Sequence, residues 1–322
     1  MSTAGAGQQQ VDIQAIRAHF MFPEAGRVVT NNAASTQPPR ELIALYESLA
    51  PRYENVHRGQ SSASREMTGL FEDSYDTIAQ FIGAPDRASI ALYRNTTEAI
   101  NAVMYSLLSE FRHGDNVVTT MMEHNSNYVP WYAMCREILP RFGRRVEYRL
   151  ARFHPGTGEL DLDHLASLID ARTKLVCCTG ASNFLGTRTP LATIRGLAGA
   201  SGYCQPSGEQ RSYLLVDAAQ LVPGSFVDVT ALGADYLAFS FHKMLAPFGV
   251  GVLYGRAGPW TGSAPSTGSR SMDRAMQPGA RRSSRSTSRA TIPSGSRKPW
   301  IRPGWSRARA VTAPRSRITR WD

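Results

Sequence analysis

Two segments of the sequence place a chemically useful side chain directly after an apolar run. In LLVDAAQ, residues 214–220, Asp217 follows a run that predicts a buried strand, so the carboxylate lies at the strand's carboxyl end. A buried carboxylate is costly unless it is paired, and a protonated ring nitrogen such as a pyridinium is a suitable partner. Gln220 can reach a phenolic oxygen on the same ring. Taken alone, the pattern equally fits an aspartate that caps the turn after a strand.

The second segment, AFSFHKMLAPFGVG at residues 238–251, places Lys243 after another predicted strand. Ser240 and His242 flank this lysine, and both can contact a phosphate group. A lysine held near a phosphate and a pyridinium has a lowered pKa, which favours imine formation. A lone surface lysine fits poorly with the apolar surroundings and the glycine-rich turn that follows. We therefore predict that Lys243 is the Schiff-base lysine for pyridoxal 5'-phosphate (PLP).

Three further segments carry polar side chains just past predicted strands. In RNTTEAIN, Thr96 and Thr97 open a helix whose free N–H groups and two hydroxyls predict an anion site, although a plain helix cap has the same pattern. His124 follows the strand NVVTT, where its flat ring could stack on a cofactor. Asn183 in ASNFLGT also follows a strand. A lone histidine or asparagine is more often an ordinary polar residue, so these predictions depend on the set as a whole.

The elements that must position these residues alternate regularly along the chain. After two or three N-terminal helices (11–20, 38–53 and 64–82), short apolar strands alternate with helical segments at 97–110, 127–138, 162–170 and 190–200. The predicted strands are SIALY, NVVTT, VEYRL, KLVCCTG, YLLVD, DYLAFS and VGVLYG. This alternation predicts an α/β fold with a mostly parallel, doubly wound sheet. Ligands in such sheets lie at the carboxyl ends of the strands, where the polar residues above are expected.

Charge and composition divide the chain into parts. The net charge is +10, but residues 261–322 carry fourteen Lys/Arg and two acidic residues, so residues 1–260 are slightly acidic. We predict disorder at 1–10, an N-terminal segment at 11–60 belonging to a small domain, a cofactor-binding large domain at 61–256, and a disordered Arg/Ser/Pro-rich tail at 257–322. The tail suggests either RNA binding or a sequence that is not the fold's natural continuation, as after a reading-frame shift. We favour the second, so nucleic acid is not an expected partner.

Several classes of protein receive little support. No stretch approaches the roughly 20 apolar residues that span a bilayer, and the polar N-terminus does not resemble a targeting signal, so a cytoplasmic protein is expected. The seven histidines and four cysteines show no clustering typical of a metal site. We expect the cysteines to be buried, reduced thiols. They are Cys135, Cys177, Cys178 and Cys204.

From about Val28 to Arg256 the chain resembles the class V aminotransferase family, especially its cysteine desulfurase and selenocysteine lyase branch. The motifs that carry the resemblance are NNAAST, NVHRG, TTEAIN, EHNSNYVPW, SNFLGT, VDAAQ and SFHK. The resemblance implies the roles given above for Asp217, Gln220, Lys243 and His124, and places Asn183 near the substrate and the phenolic oxygen. It also implies that Thr97, Ser240 and His242 hold the phosphate.

The resemblance implies a homodimeric PLP enzyme that acts on an amino acid, with Lys243 and His124 as its catalytic residues. Relatives continue into a small domain that supplies a partner-chain phosphate contact, a cysteine loop and a carboxylate-binding arginine, and none of these is recognisable here. We therefore expect an incomplete small domain and no cysteine desulfurase activity in this chain. A lyase or epimerase of the same family, and a non-catalytic truncated product, remain alternatives. Residues 202–212 look like an insertion before the Asp217 strand.

Overall fold

The computed structural model describes residues 11–21, 28–247 and 249–256, all within one compact unit. The predicted disordered stretches at 1–10 and 257–322 lie outside these residues. The described part contains a seven-stranded sheet. Its strands are β1 (Ile90–Tyr93), β2 (Asn116–Thr120), β3 (Glu147–Ala151), β4 (Thr173–Thr179), β5 (Tyr213–Asp217), β6 (Tyr236–Ser240) and β7 (Gly251–Gly255).

The strands follow the order β1-β7-β6-β5-β4-β2-β3. The pairs among β2 to β6 are parallel, whereas β7 is antiparallel to both of its neighbours, β6 and β1. All described strands except β7 therefore run in one direction, which confirms the predicted mostly parallel sheet. Their carboxyl ends form one end of the sheet, called the carboxyl end below, and β7 finishes at the opposite end.

The helices begin and end close to the predicted positions. They are α1 (Ile13–Ala18), α2 (Arg40–Leu49), α3 (Ser62–Phe81), α4 (Thr96–Leu107), α5 (Asn125–Ala133), α6 (Leu139–Arg141), α7 (Leu162–Leu168), α8 (Leu191–Gly199) and α9 (Val229–Leu232). Side-chain caps define several starts: Ser61 accepts from the Ser64 N–H before α3, and Asn95 from the Glu98 N–H before α4. The predicted helix 127–138 is interrupted, because a π-helix at Met134–Ile138 follows α5. Helix α9 was not among the predicted helices.

The central strands are buried on both faces, which explains their continuous apolar sequences. Val176 and Leu214 point into one hydrophobic cluster, whereas their neighbours Leu175 and Leu215 point into the other. Because side chains alternate across a strand, the two clusters lie on opposite faces of the sheet, beneath the two helical layers. Burial of one such aliphatic side chain stabilises the fold by roughly 1.5–3 kcal/mol.

The insertion at 202–212 forms a hairpin at the end of the sheet opposite the carboxyl end, closed by a bridge between Cys204 and Gln210. It is held firmly, because Lys174, fully buried at the start of β4, lies 3.0 Å from the Glu110 carboxylate and 3.2 Å from the Gln205 amide oxygen. Lys174 also faces three aromatic rings at 5.4–5.7 Å. Cys204 itself is exposed, so the expectation that all four thiols are buried is wrong for this one. Its place on an inserted surface hairpin explains the exposure.

A buried ion network also anchors this hairpin and gives a stability prediction. Asp235 is 0% exposed and accepts hydrogen bonds from Arg211 at 2.5 and 2.7 Å, from Arg256 at 2.9 Å and from the Leu214 N–H at 2.8 Å. Removing one partner of a buried pair leaves the other uncompensated, so Asp235→Ala should lower the free energy of unfolding by about 3–5 kcal/mol. Urea denaturation measures this, with exposed Asp163→Ala as the control. A loss indistinguishable from that of the control would contradict the prediction.

Candidate cofactor site

A cavity of about 290 Å³ opens at the carboxyl end of the sheet, beside the start of α4. All nine side chains that the sequence singled out line this cavity, together with several that it did not. The lining residues are Asn31, Ala33, Ala34, Asn95, Thr96, Thr97, His124, Ser126, Thr179, Ala181, Asn183, Asp217, Ala219, Gln220, Ser240, His242 and Lys243. Residues from five separate segments of the sequence therefore lie together at the carboxyl ends of the strands, as expected for an α/β sheet.

Asp217 is the last residue of β5 and is only 3% exposed. Its Oδ1 accepts from the Ala219 N–H at 3.0 Å, and its Oδ2 lies 3.4 Å from the Ser126 hydroxyl. Burial raises the pKa of Asp217, and the Ala219 N–H, Lys243 and His124 oppose this rise only in part. A buried carboxylate with weak compensation on the cavity side favours a bound cation.

Lys243 ends a short 3₁₀ turn that follows β6. Burial lowers the pKa of Lys243, and the negative charge of Asp217 opposes that change. The turn is held from the N-terminal segment, because the His242 carbonyl accepts from the Thr36 N–H at 2.8 Å and from its hydroxyl at 3.1 Å. The Leu245 N–H donates to the same hydroxyl at 2.6 Å, and Leu245 has a left-handed φ of 66°. The NNAAST motif thus fixes the lysine turn, which also stores some backbone strain.

The anion site that the sequence predicts would lie at the start of α4. The Thr96 N–H donates to the Ser240 hydroxyl at 2.7 Å, and the two hydroxyl oxygens lie 2.6 Å apart. Within the described residues, the Thr97 N–H has no hydrogen-bond acceptor, as expected in a first helical turn. This free N–H, two hydroxyls and the positive end of a twelve-residue helix make a cradle for an anion such as phosphate.

Gly251, at the start of β7, sets the shape of this cradle. A Cβ at position 251 would lie 2.4–2.6 Å from three backbone atoms of Asn95, the residue that caps α4. Relief of the clash must move the first turn of α4, so Gly251→Ala should weaken binding of the PLP that the sequence predicts by about tenfold or more. Absorption titration with PLP measures the dissociation constant. Gly156→Ala is the matched control, because nothing lies within 4 Å of its added Cβ. Equal affinities for the two variants would rule out this role.

His124 and Ser126, at the start of α5, form another part of the cavity lining. His124 caps α5, and its Nδ1 accepts from the Ser126 N–H at 3.1 Å and lies 2.7 Å from the Ser126 hydroxyl. Ser126 therefore links the imidazole to Asp217. Sequence reasoning missed Ser126, although its position two residues after His124 in the first turn of α5 was an available signal. It also missed Thr179, which ends β4 and is the register partner of Asp217.

Gln220 and Asn183 take less constrained positions. The Gln220 amide donates to the Ala33 carbonyl at 2.8 Å, which leaves one of its two N–H hydrogens and its amide oxygen for another partner. Asn183 is exposed in the loop after β4, which the bridge between Ala181 and Arg188 closes. Both side chains line the cavity, so a contact with a ring oxygen or a substrate remains compatible with their positions.

No cysteine is among the lining residues. Cys135, Cys177 and Cys178 are buried, and burial raises the pKa of Cys135 to about 12 and the pKa values of the other two well above the usual range. Cys204 lies on the hairpin at the opposite end of the sheet. In the part of the chain that the structure describes, no group of three or more His, Cys, Asp or Glu is placed to hold a metal ion.

Comparison with known proteins agrees with this geometry. The chain is 37% identical over 259 residues to a probable cysteine desulfurase of Halobacterium salinarum, covering 77% of this chain and 58% of the relative. It is 36% identical over 266 residues to a cysteine desulfurase of Haloferax volcanii, covering 76% and 59%. The chain thus spans less than two thirds of the length of these relatives.

Solved structures give the same result. The cysteine desulfurase CsdA of Escherichia coli superposes with a TM-score of 0.64 at 28% identity, covering 77% of this chain and 58% of that one. The apo cysteine desulfurase of Thermococcus onnurineus NA1 superposes with a TM-score of 0.62 at 31% identity, covering 70% and 53%. The sequence model of the class-V aminotransferase family matches residues 28–283, which is most of the sequence. The chain belongs to the class-V aminotransferase family.

Proposed function

We propose that this chain is the PLP-binding part of an enzyme that acts on an amino acid, with Lys243 as the covalent attachment point. One observation carries the proposal: a buried carboxylate and a lysine of lowered pKa share a cavity with the free N-terminus of a helix. These three features match the ring nitrogen, the aldehyde and the phosphate of a single cofactor. The membership of the class-V family supports the same assignment.

The lining residues fit the cofactor group by group. Asp217 would hold the protonated ring nitrogen, Thr96, Thr97, Ser240 and His242 would hold the phosphate, and His124 would pack on the ring. Asn183 and Gln220 would contact the phenolic oxygen. Bound PLP supplies an electron sink that stabilises negative charge on the carbon beside the substrate amino group.

Lys243 would have two roles in the reaction. Because its pKa is lowered, a larger fraction of its side chain is the neutral amine that attacks a carbonyl carbon. A free Lys243 amine would also be able to accept a proton from the substrate carbon as a general base. Asp217 and the anion cradle meanwhile keep the site oriented, and His124 shields one side of it.

The placement of the cysteines favours one group of reactions over another. Desulfuration needs a thiolate close to the cofactor. Three thiols are buried with raised pKa values, and the fourth lies at the far end of the sheet. Transamination, elimination and racemisation need no cysteine thiolate. A PLP-dependent lyase or epimerase is therefore our second candidate, and a non-catalytic cofactor-binding product is the third.

The chain as given should release no sulfide from cysteine. The four cysteines of the sequence all precede Lys243, and none lines the cavity. The assay is sulfide release by purified protein loaded with PLP, with a complete cysteine desulfurase as the positive control. Turnover that disappears in Cys204→Ser would refute the claim, because the hairpin would then have to reach the site.

A cofactor titration tests the proposed function directly. Purified full chain is mixed with PLP, and the absorption of the cofactor is followed until it saturates. Borohydride reduction then fixes any imine, and peptide mapping finds the modified residue. Saturable binding and modification of Lys243 support the proposal. A signal no greater than that of free PLP with unrelated protein rejects it.

We propose that the intact protein pairs with a second copy and works in the cytoplasm, as the resemblance to the family implied. In the described part of the chain, no helix is both long and apolar enough to cross a bilayer. Light scattering on a size-exclusion column measures the assembly: a mass near 70 kDa indicates a dimer, since one chain is 35.3 kDa.

A further inference from the structure

Glu123 immediately precedes His124 and is partly buried behind the cavity wall. Its Oε1 accepts from the Thr120 hydroxyl at 2.6 Å and from the Thr179 N–H at 2.8 Å, and its Oε2 accepts from the Asn127 amide at 2.7 Å. These donors belong to the end of β2, the end of β4 and the first turn of α5. One carboxylate therefore ties together three elements that meet at the cavity.

Each side-chain donor has its orientation fixed by a second hydrogen bond. The Thr120 hydroxyl oxygen accepts from the Met122 N–H at 3.1 Å, so its hydrogen is directed to Glu123. The Asn127 amide oxygen accepts from the indole N–H of fully buried Trp131 at 3.0 Å. The amide of Asn127 therefore cannot turn over without breaking that bond, and its NH₂ group must face Glu123.

The same network reaches the cavity residues. The backbone N–H of Asn127 donates to the His124 carbonyl at 2.8 Å, so Asn127 is hydrogen-bonded to both Glu123 and His124. Thr179 lines the cavity, and the Gly180 N–H beside it donates to the Asp217 carbonyl at 2.8 Å. A shift of Glu123 would thus move the backbone on both sides of the proposed cofactor ring.

Burial opposes the ionisation of Glu123. Burial raises the pKa of Glu123 to about 8, its three hydrogen bonds oppose the rise, and the negative charge of Asp217 adds to it. A protonated carboxyl group would face three donors and no acceptor. The hydrogen-bond pattern suits the ionised form, whereas burial favours the protonated form, so the carboxyl group gains its charge as the pH rises through about 8.

We propose that Glu123 is a positioning residue that holds His124 against the cofactor ring through its hydrogen bond to Asn127. The inference rests on the proposed function, since it assumes that PLP occupies the cavity. Glu123 touches neither substrate nor cofactor and acts through His124 and the end of β4. The contacts that connect Glu123 to His124 cannot be read from the motif residues or from their order along the sequence.

A cycle of four full-length proteins tests this: wild type, Glu123→Gln, Asn127→Asp and the double variant. In Glu123→Gln the new amide keeps its bonds to Thr120 and Thr179 but sets an NH₂ group against the NH₂ group of Asn127. In Asn127→Asp two carboxylates face each other. The double variant exchanges donor and acceptor, so it restores the bond, the contact to Trp131 and the net charge.

The readouts are the PLP dissociation constant and the circular dichroism induced in the cofactor band at saturating PLP. Each single variant should bind about tenfold more weakly, the effect of one mismatched buried hydrogen bond, with an altered induced signal. The double variant should recover to within about threefold of wild type. Glu137→Gln, an exposed residue of the following π-helix, is the matched control and should behave as wild type.

A second control separates positioning from stability. Leu165→Ala, in the core at α7, should lower thermal stability and leave the induced signal of bound PLP unchanged. A Glu123→Gln protein that binds PLP with the wild-type constant and signal would overturn the inference. So would a double variant as weak as the single ones. Absence of any Lys243-dependent signal in wild type would instead reject the proposed function, and this inference with it.

Discussion

Lys243→Ala is expected to abolish covalent labelling of the protein by PLP and borohydride. The sequence contains only three lysines, so the test has few competing amines. Lys174 is fully buried and held by Glu110, 3.0 Å away, at the start of β4. Lys243 alone among the described lysines lines the cavity and has Asp217 as a charged neighbour. Loss of this amine removes the nucleophile, so labelling should fall to the background of free PLP.

Peptide mapping of wild type and variant makes the result decisive. Label in wild type should be found on the peptide that contains Lys243, and the third lysine, Lys298, gives the matched control Lys298→Ala. Non-covalent PLP binding should persist in Lys243→Ala, because the anion cradle and Asp217 are unchanged. Label that survives in Lys243→Ala, or that maps to Lys174, would assign the chemistry to another amine.

Asp217→Asn is expected to weaken PLP binding while leaving Lys243 available for labelling. A charge-assisted pair between the carboxylate and the ring nitrogen contributes about 1.5–3 kcal/mol, so the dissociation constant should rise roughly 10- to 150-fold. Removal of the negative charge also lowers the pKa of Lys243 further, since Asp217 opposes the effect of burial there. Imine formation at high PLP concentration should therefore continue.

The same substitution should not destabilise the cofactor-free protein. The pKa of Asp217 is raised in the folded state, so the folded protein binds that proton more tightly, and ionisation costs stability as pH rises. Asparagine removes the buried charge and can still accept from the Ala219 N–H. Thermal unfolding without PLP should give a midpoint equal to or above wild type at neutral pH. Asp163→Asn, on the exposed side of α7, is the control; unchanged PLP affinity in Asp217→Asn would exclude the pairing.

Much of the site could be predicted because its residues share a simple rule. Asp217, Asn183 and His124 each follow an apolar run that becomes a parallel strand, and parallel strands bring their ends together. Lys243 and Thr96 obey the same rule at β6 and β1. The spacing between these segments did not matter, because the sheet, and not the sequence distance, sets their proximity.

Other features could not be predicted because they depend on the orientation of individual side chains. Glu123 belongs to the same motif as His124, yet only the bonds to Thr120, Asn127 and Thr179 show what it holds in place. The sequence showed residues 202–212 only as an insertion before the Asp217 strand. The anchoring of this insertion requires Lys174 to be buried, and a single lysine in an apolar strand gives no indication of the aromatic rings around it.

Because β7 runs opposite to the other described strands, the chain leaves the sheet far from the cavity. The chain leaves β7 at Arg256, which Asp235 and Glu209 pin at 2.9 and 2.6 Å at the end of the sheet away from the cavity. A strand of five residues is about 17 Å long. Any later part of a polypeptide that is to touch the cofactor must therefore travel back at least that far, about five fully extended residues. A label attached at Arg256 would accordingly report on the inserted hairpin and not on the cofactor cavity.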